Sequence, residues 1–313
     1  FTERGLHRLD RVEILASSPL RLWQRRLILP CPGETRCYPN YEPVVRFALL
    51  ATAHREEQMG IVRRRRTGAA LDFHQLREYQ DGDVLSRVDW KATARRNQLI
   101  SRDYEEARNQ TVLLVPDCGH RLRTMDGEVT QFDHCLNAML LLAYMALRQG
   151  DEAGVLGFGG VERWLKPVKG AHSMPRILNH LYDYQPSEEP GDFTEAAQRI
   201  MLQQRRRALV VFLTNLRSED ASHVIKAARL LKRRHLVMVA SLKEMDLEEA
   251  AATPVATQSQ ALAYGALCAY FQERQSLVQI LRKQGVHVVD DTAKNLPIAL
   301  ANAYLDLKAS GAL

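Results

Sequence analysis

The sequence has few cysteines and no long apolar run, and both shortages limit what the protein can be. Five cysteines are scattered without regular spacing over 313 residues, which argues against a disulfide framework and fits a reducing compartment. No apolar run reaches the ~18 residues of a membrane span, and the longest candidate, residues 135–147, is too short. The first residue is Phe rather than Met, so we expect the sequence to be part of a longer protein.

Motifs of the common enzyme classes are also missing. The chain contains neither the phosphate-binding pattern Gly-x-x-x-x-Gly-Lys-Ser/Thr nor the nucleophile elbow Gly-x-Ser-x-Gly. Cys118, His120, His134 and Cys135 are residue types that bind zinc, but their spacing matches no common zinc arrangement. We therefore predict no catalytic residue, and a binding module is favoured over an enzyme.

Length and pattern divide the chain into parts. A chain of 313 residues is long enough for about two domains, and its net charge of +6 fits an anionic partner, a membrane surface or no particular partner. We predict a small β-rich unit at 1–45, a linker helix with a basic run and a charged segment at 46–110, and an α/β domain at 111–313. In the β-rich unit, short strands are predicted at 12–15 and 27–29, with turns at 17–19, 30–33 and 38–40.

Four consecutive arginines, Arg63, Arg64, Arg65 and Arg66, follow a predicted helix at 43–59. Since four neighbours cannot all face a core, the run predicts a solvated loop that pairs in part with nearby acidic residues. A docking site for anionic lipid or an acidic partner stays open as an alternative. Nucleic-acid binding is a third alternative and is disfavoured, because no aromatic residues are interleaved with the arginines.

The segment at 71–106 is dense in charge, yet large apolar residues recur in it every few positions. Asp83 is placed to cap a helix over 84–96, and residues 98–104 alternate as in a strand. Candidates for a binding or structural role are Arg77, Tyr79, Asp83, Arg87, Asp89, Trp90, Lys91 and Arg95. We predict a packed ionic network against the α/β domain, formed by Asp83, Arg87, Asp89, Trp90 and Arg95.

The run LREYQDGDVLSRVDWKATARRNQLISRDYEE closely resembles the signature of the bacterial family called domain of unknown function 58. The resemblance implies a von Willebrand factor A-like domain after the signature and two membrane helices upstream of this chain. It also implies two kinds of partner: a MoxR-type AAA+ ATPase, and a protein client in protein assembly or cell-envelope maintenance.

From residue 111 onward, predicted strands and helices alternate. Apolar runs at 111–115, 208–213 and 236–242 are typical of parallel strands buried on both faces. Further strands are predicted at 153–159, 164–168 (antiparallel) and 285–290, and helices at 132–149, 174–184, 194–204, 223–234, 258–284 (as one helix, or as two broken near Gly265) and 296–308. The predicted fold class is α/β: a von Willebrand A-like (Rossmann-like), mostly parallel sheet with helices on both faces, preceded by the small β-rich unit.

In such sheets, ligands lie beyond the carboxyl ends of the strands. The resemblance implies a divalent-metal motif, Asp-x-Ser-x-Ser, after the first strand, but Gly119 and Arg121 replace its two serines here. The candidates for a degenerate metal site are Asp117, Thr194 and Asn215. Three interpretations stay open: these residues only satisfy loop backbones, they hold Mg²⁺ weakly, or Asp117 pairs with Arg121 in place of a metal. No other cofactor is expected.

The missing enzyme motifs favour a non-enzymatic adaptor or scaffold, and the resemblance implies that a segment upstream of Phe1 anchors it in the bacterial inner membrane. Arginine-rich segments near a membrane are normally retained in the cytoplasm, so we expect the domain to face that side. Two alternatives belong to other classes: a metal-dependent hydrolase acting at Asp117, and nucleic-acid binding through Arg63, Arg64, Arg65 and Arg66.

Overall fold

A six-stranded, mostly parallel sheet forms the centre of the structure, which is a computed structural model. Residues 4–20, 22–42, 44–46, 71–79, 88–96, 98–106, 110–127 and 129–313 are described, with the backbone alone at 71–78, 96 and 102–106. The strands are β1 (Gly5–Ser17), β2 (Gln24–Cys37), β3 (Leu71–Glu78), β4 (Ile100–Glu106), β5 (Thr111–Pro116), β6 (Met125–Asp126), β7 (Val129–Thr130), β8 (Glu152–Leu156), β9 (Trp164–Lys169), β10 (Ala208–Thr214), β11 (Leu236–Lys243) and β12 (His287–Thr292). The helices are α1 (Trp90–Arg96), α2 (Gln131–Arg148), α3 (Met174–Leu181), α4 (Phe193–Gln203), α5 (Ala221–Leu231), α6 (Met245–Ala252), α7 (Gln258–Lys283) and α8 (Leu296–Ser310).

The strand order of the central sheet is β12-β11-β10-β5-β8-β9, and only β9 runs antiparallel to its neighbour. Alternate residues of β5 enter two separate cores, Val112 and Leu114 on one face and Leu113 and Val115 on the other. Helices α2, α3 and α8 cover the first face, and α4, α5 and α7 cover the second. The predicted fold class, with helices on both faces of the sheet, is confirmed. Each fully buried Val or Leu contributes about 1.5–3 kcal/mol to this core.

Most elements predicted after residue 111 are present with boundaries shifted by a few residues. Residues 258–283 form one unbroken helix through Gly265, which decides between the two alternatives for that stretch. Helix α6 was not predicted, and neither was strand β3. None of the helices within the described ranges is long and apolar enough to cross a membrane.

The N-terminal β unit is a single long hairpin rather than two short strands with several turns. Strands β1 and β2 pair antiparallel from Gly5 opposite Cys37 to Ser17 opposite Gln24. The turn predicted at 30–33 is wrong: these residues lie within β2, where the pairing register shifts as in a β-bulge. The extra residue on β2 accommodates the prolines, which cannot take part in every ladder hydrogen bond.

The base of the hairpin is attached to the α/β domain. Arg4 forms an ion pair with Asp133 in the first turn of α2, and its guanidinium carbon lies 4.8 Å from the ring centroid of Phe132. On the other strand, Tyr38 follows β2 and donates from its hydroxyl to Asn179 Oδ1 on α3 at 2.7 Å. Beyond this base, most side chains of the hairpin are exposed.

A buried histidine makes the fold sensitive to acid. His235, just before β11, is 4% exposed, and neither of its ring nitrogens has a hydrogen-bond partner in the described part of the chain. Burial, assisted by the charge of Arg234, lowers the pKa of His235 from 6.5 to about 4. The unfolded chain therefore takes up this proton near pH 6.5, and the folded chain only near pH 4. Above the unfolded-state pKa, His235 is neutral in both states and its titration does not lower the free energy of unfolding. As the pH falls from that pKa towards the folded-state pKa, only the unfolded chain is protonated, and the free energy of unfolding decreases by about 3 kcal/mol in all.

We expect His235→Leu to reduce the difference in the free energy of unfolding between about pH 7.5 and about pH 4.5, as measured by urea unfolding at both pH values. His172→Leu is the matched control, because His172 is exposed. His180 and His287, whose pKa values burial also lowers, should leave a residual acid sensitivity in the variant. An identical pH dependence in wild type and His235→Leu would show that His235 is not the source.

Candidate functional site

The predicted metal residues lie at the carboxyl edge of the central sheet. Asp117 directly follows β5 and Asn215 directly follows the adjacent strand β10, and both are fully buried. Thr194 lies in the first turn of α4, where its backbone N–H donates to Asp192 Oδ1 at 2.7 Å.

An arginine side chain occupies the space beside Asp117. Arg121 is 3% exposed, and its Nη1 donates to Asp117 Oδ2 at 3.2 Å and to the Gly191 carbonyl at 3.1 Å. Its Nε and Nη2 donate to the two carboxylate oxygens of Asp220, at 2.5 and 2.6 Å. The guanidinium also lies over the ring of Phe193, 4.9 Å from the centroid. The pairing of Asp117 with Arg121, one of the three interpretations left open by the sequence, is confirmed.

Both carboxylate oxygens of Asp117 accept hydrogen bonds within the protein. Oδ1 accepts from the Gly119 backbone N–H at 3.0 Å, and Oδ2 accepts from Thr214 Oγ1 at 2.7 Å in addition to Arg121. Burial raises the pKa of Asp117, while Arg121, Thr214 and Gly119 oppose that shift by stabilising the carboxylate. Burial alone would lower the pKa of Arg121, but the hydrogen bonds and charge of Asp220 and Asp117 raise it, so the guanidinium stays protonated.

The loop geometry explains why glycine stands where a metal motif has serine. A Cβ on Gly119 would lie 2.7 Å from the Glu189 carbonyl oxygen and 2.9 Å from the Gly191 nitrogen. Both are backbone atoms, so a serine side chain at position 119 requires the loop at 189–191 to move. The close contact of these loops leaves no room for the first hydroxyl ligand of the motif.

A second buried arginine joins the ends of three neighbouring strands. Arg274 lies in α7, and its Nη1 and Nη2 donate to five acceptors that lie just after β10 or within β11 and β12. These are Asn215 Oδ1, the Leu216 carbonyl, Ser241 Oγ and the Leu242 carbonyl, each at 2.7 Å, and Asp290 Oδ1 at 2.8 Å. Neither Arg274 nor Asp220 was a candidate from the sequence.

Asn215, one of the three predicted metal residues, is already engaged by other side chains. Asn215 is held by Arg274, and its Nδ2 donates to Glu244 Oε1 at 2.6 Å and Gln131 Oε1 at 3.3 Å. No group of three or more His, Cys, Asp or Glu side chains in the described part of the chain is placed to hold a metal ion. Mg²⁺ requires several oxygen ligands, whereas the cationic guanidinium of Arg121 lies 3.2 Å from Asp117 Oδ2, so the groups around Asp117 do not fit it.

The edge also offers no activated thiol. Cys118 is buried beside Asp117, and burial, with the charge of Asp117, raises the pKa of its thiol. Burial likewise raises the pKa of Cys135 within α2. A neutral, buried thiol is a poor nucleophile, because the thiolate is the reactive form.

Comparison with known proteins identifies the family. The family described as "Protein of unknown function DUF58" matches residues 75–260, more than half of the chain. The chain belongs to this family. A relative, "Uncharacterized protein YeaD" of Bacillus subtilis (strain 168), is 23% identical to the DUF58 chain over 255 residues, or 79% of this chain and 59% of the relative. The chain thus spans less than two thirds of that protein.

Two solved structures are similar to the DUF58 chain. The VWA domain of SpRpn10 matches with a TM-score of 0.41 and 14% identity, over 62% of this chain and 94% of that one. The conserved hypothetical protein BatB from Bacteroides thetaiotaomicron matches with a TM-score of 0.38 and 14% identity, over 63% of this chain and 99% of that one.

In the DUF58 signature, Asp89 lies at the start of a described helix, while the predicted cap Asp83 lies outside the described residues. Asp89 Oδ1 accepts from the backbone N–H groups of Lys91 and Ala92, both at 3.0 Å, as an N-cap does. Helix α1 begins at Trp90. The helix predicted over 84–96 is therefore wrong at residues 88 and 89, which are not helical. Their backbones pair instead with β4, through a bridge from Val88 to Ser101 and a hydrogen bond from Asp89.

The prediction that Trp90 is packed within an ionic network against the α/β domain is wrong, because Trp90 is 66% exposed. Lys91 and Arg95 are also exposed on α1, and the Tyr79 backbone N–H donates to the Leu99 carbonyl at 2.9 Å. Arg77 lies in β3, where only the backbone is described. The remaining predictions lie outside the described residues: Asp83, Arg87, Arg63, Arg64, Arg65 and Arg66.

Proposed function

We propose that this domain is a non-enzymatic adaptor or scaffold of a membrane-anchored bacterial protein. In this role it works with a MoxR-type AAA+ ATPase, and with a protein client, in protein assembly or cell-envelope maintenance. The partner supplies ATP hydrolysis, since the chain itself lacks the phosphate-binding pattern.

One observation carries the non-enzymatic part of the proposal. The guanidinium of Arg121, bound between Asp117 and Asp220, fills the carboxyl edge where this fold class binds ligands. Its charge and its buried hydrogen bonds disfavour both a divalent cation and a reacting substrate there. The buried guanidinium therefore disfavours a metal-dependent hydrolase, the first alternative function.

Binding of the partner is tested with the purified ATPase of the same organism. We expect the full-length protein in detergent to co-sediment with the ATPase at micromolar concentrations, and we expect nucleotide to change the amount bound. An unrelated domain with the same tag serves as the control. No co-sedimentation in the presence or absence of ATP would contradict the partnership.

The proposed location is the cytoplasmic face of the inner membrane. Exposed Arg25 and Arg26 near the hairpin tip support it, because each basic residue that reaches an anionic surface contributes about 1 kcal/mol. A reporter that is active only in the periplasm, fused to the C-terminus of the full-length protein, should therefore give no signal. A strong signal would place the domain on the other side.

A further inference from the structure

The loop at the tip of the β1–β2 hairpin presents large apolar side chains to solvent. Leu20 is 79% exposed, Leu22 is 80% exposed and Trp23 is 61% exposed. Hydrogen bonds hold the loop closed: the Ser18 backbone N–H donates to the Trp23 carbonyl at 2.9 Å, and Ser18 Oγ accepts from the Leu22 backbone N–H at 3.0 Å. Three large apolar side chains that are exposed together on a hydrogen-bonded loop indicate a contact surface.

One face of the hairpin continues this apolar surface behind the tip. Side chains alternate between the two faces of a strand. On this face the cross-strand pairs are Val12 with Leu29 and Ile14 with Leu27, and Arg25 follows next to the tip. A two-stranded hairpin is only marginally stable by itself in water, so the hairpin gains stability when another surface covers this face.

The charge near the tip is of one sign. Residues 14–33 include three arginines, Arg21, Arg25 and Arg26, and no acidic residue. Glu13, just before this stretch, forms an ion pair with Arg26, on the face opposite to Arg25. The tip stays positive after this pair is counted, so an anionic surface complements it.

The tip lies at the opposite end of the hairpin from the contacts that Arg4 and Tyr38 make with the α/β domain. Strand β1 has 13 residues, and at about 3.3 Å per residue it is roughly 40 Å long. A protein partner would need a groove that matches this projecting loop, whereas a lipid bilayer deforms around it. Trp side chains are also enriched where lipid meets water, which fits Trp23 at the tip.

We propose that the hairpin tip binds the surface of an anionic phospholipid bilayer. Leu20, Leu22 and Trp23 enter the boundary between the headgroups and the acyl chains. Arg25, directly behind them, pairs with the lipid phosphates. The inference rests on the proposed membrane-anchored role and deepens it, because it gives this domain a lipid contact of its own.

Vesicle co-sedimentation of the 313-residue chain tests this contact. One set of vesicles is phosphatidylcholine alone, and the other is phosphatidylcholine and phosphatidylglycerol in equal parts. We expect the chain to bind the anionic vesicles at least about tenfold more tightly than the neutral ones, and salt to weaken this binding. The double variant Leu22→Ser, Trp23→Ser should weaken it at least about tenfold, and Arg25→Gln about fivefold.

The double variant Leu202→Ser, Trp90→Ser is the matched control. It changes the same two residue types, which are also exposed but lie outside the hairpin, so binding to anionic vesicles should be unchanged. Thermal melting checks that each variant keeps its fold. The inference is overturned if the chain does not bind anionic vesicles, if it binds both kinds of vesicle equally, or if the control loses as much binding as the tip variant.

Fluorescence quenching separates insertion of the tip from adsorption by charge alone. Lipids brominated in their acyl chains should quench the emission of the wild type, and Trp23→Phe should lose most of this quenching while it still binds. Binding without quenching would overturn the insertion. A dimer that sedimentation equilibrium detects, and that the tip variant dissociates, would mean that a second copy covers the tip and would also overturn the inference. Vesicles do not report the side of the membrane, so a failure here leaves the results of the periplasmic reporter and of ATPase co-sedimentation standing.

Discussion

Replacing Arg121 with alanine is expected to lower the free energy of unfolding by about 3–5 kcal/mol. The substitution removes one guanidinium but leaves the fully buried Asp117 without its counter-charge. It also removes both hydrogen bonds to the Asp220 carboxylate. The intact buried pair contributes little net stability, because the attraction between the charges is largely offset by their desolvation. Removing one partner costs far more, because nothing then offsets the desolvation of the remaining ion.

Urea unfolding of the variant measures this loss, and Arg123→Ala is the matched control two residues away. Arg123 pairs with Glu188 at 2.8 Å, but both side chains are exposed, so its removal should change stability by less than about 1 kcal/mol. Similar losses in the two variants would show that Arg121 behaves as an ordinary surface arginine.

Arg274→Ala should produce a loss of similar size, about 3–5 kcal/mol, for a different reason. Arg274 provides hydrogen bonds to backbone or side-chain acceptors at the carboxyl ends of β10, β11 and β12, so its removal leaves several buried acceptors without donors. The negative charge of Asp290 also loses its partner.

Arg282→Ala on the same helix is the control for Arg274. Arg282 is exposed and donates one hydrogen bond, to the Val288 carbonyl at 3.2 Å. We expect its replacement to change the urea midpoint only slightly. A loss in Arg274→Ala no larger than that of Arg282→Ala would contradict the joining role assigned to Arg274.

The α/β fold could be predicted because its strands are buried on both faces. A continuous apolar run such as that of β10 is typical of a central parallel strand, and the alternation with helices then implies a parallel sheet. The hairpin was predicted less well. The prolines and glycine at 30–33 indicate a turn, but pairing with β1 keeps these residues in β2. Helix α6 was missed because its sequence, MDLEEAAA, is short and buries none of its residues, so it has no periodic apolar face.

Only those contacts of the candidate site that join residues close in the sequence could be predicted. Asp117 and Arg121 are four residues apart, so their pairing was among the interpretations that the sequence left open. Asp220 and Arg274 come from distant parts of the chain and meet the site only through the sheet topology. One signal was available for Arg274: Leu277, Val278 and Leu281 follow it at helical spacing, which places Arg274 on the buried face of α7.

We infer that Arg121 takes the place of a metal ion at the carboxyl edge of the sheet. Calorimetric titration of the domain with Mg²⁺ and with Mn²⁺ tests it most directly, with Asp117→Ala as the companion variant. We expect no saturable binding at sub-millimolar concentrations in either protein, because the oxygens of Asp117 are already engaged by Arg121, Thr214 and Gly119 in the wild type and are absent from the variant. A single-site isotherm in the wild type that disappears in Asp117→Ala would contradict the claim and would favour a metal-dependent function at this edge.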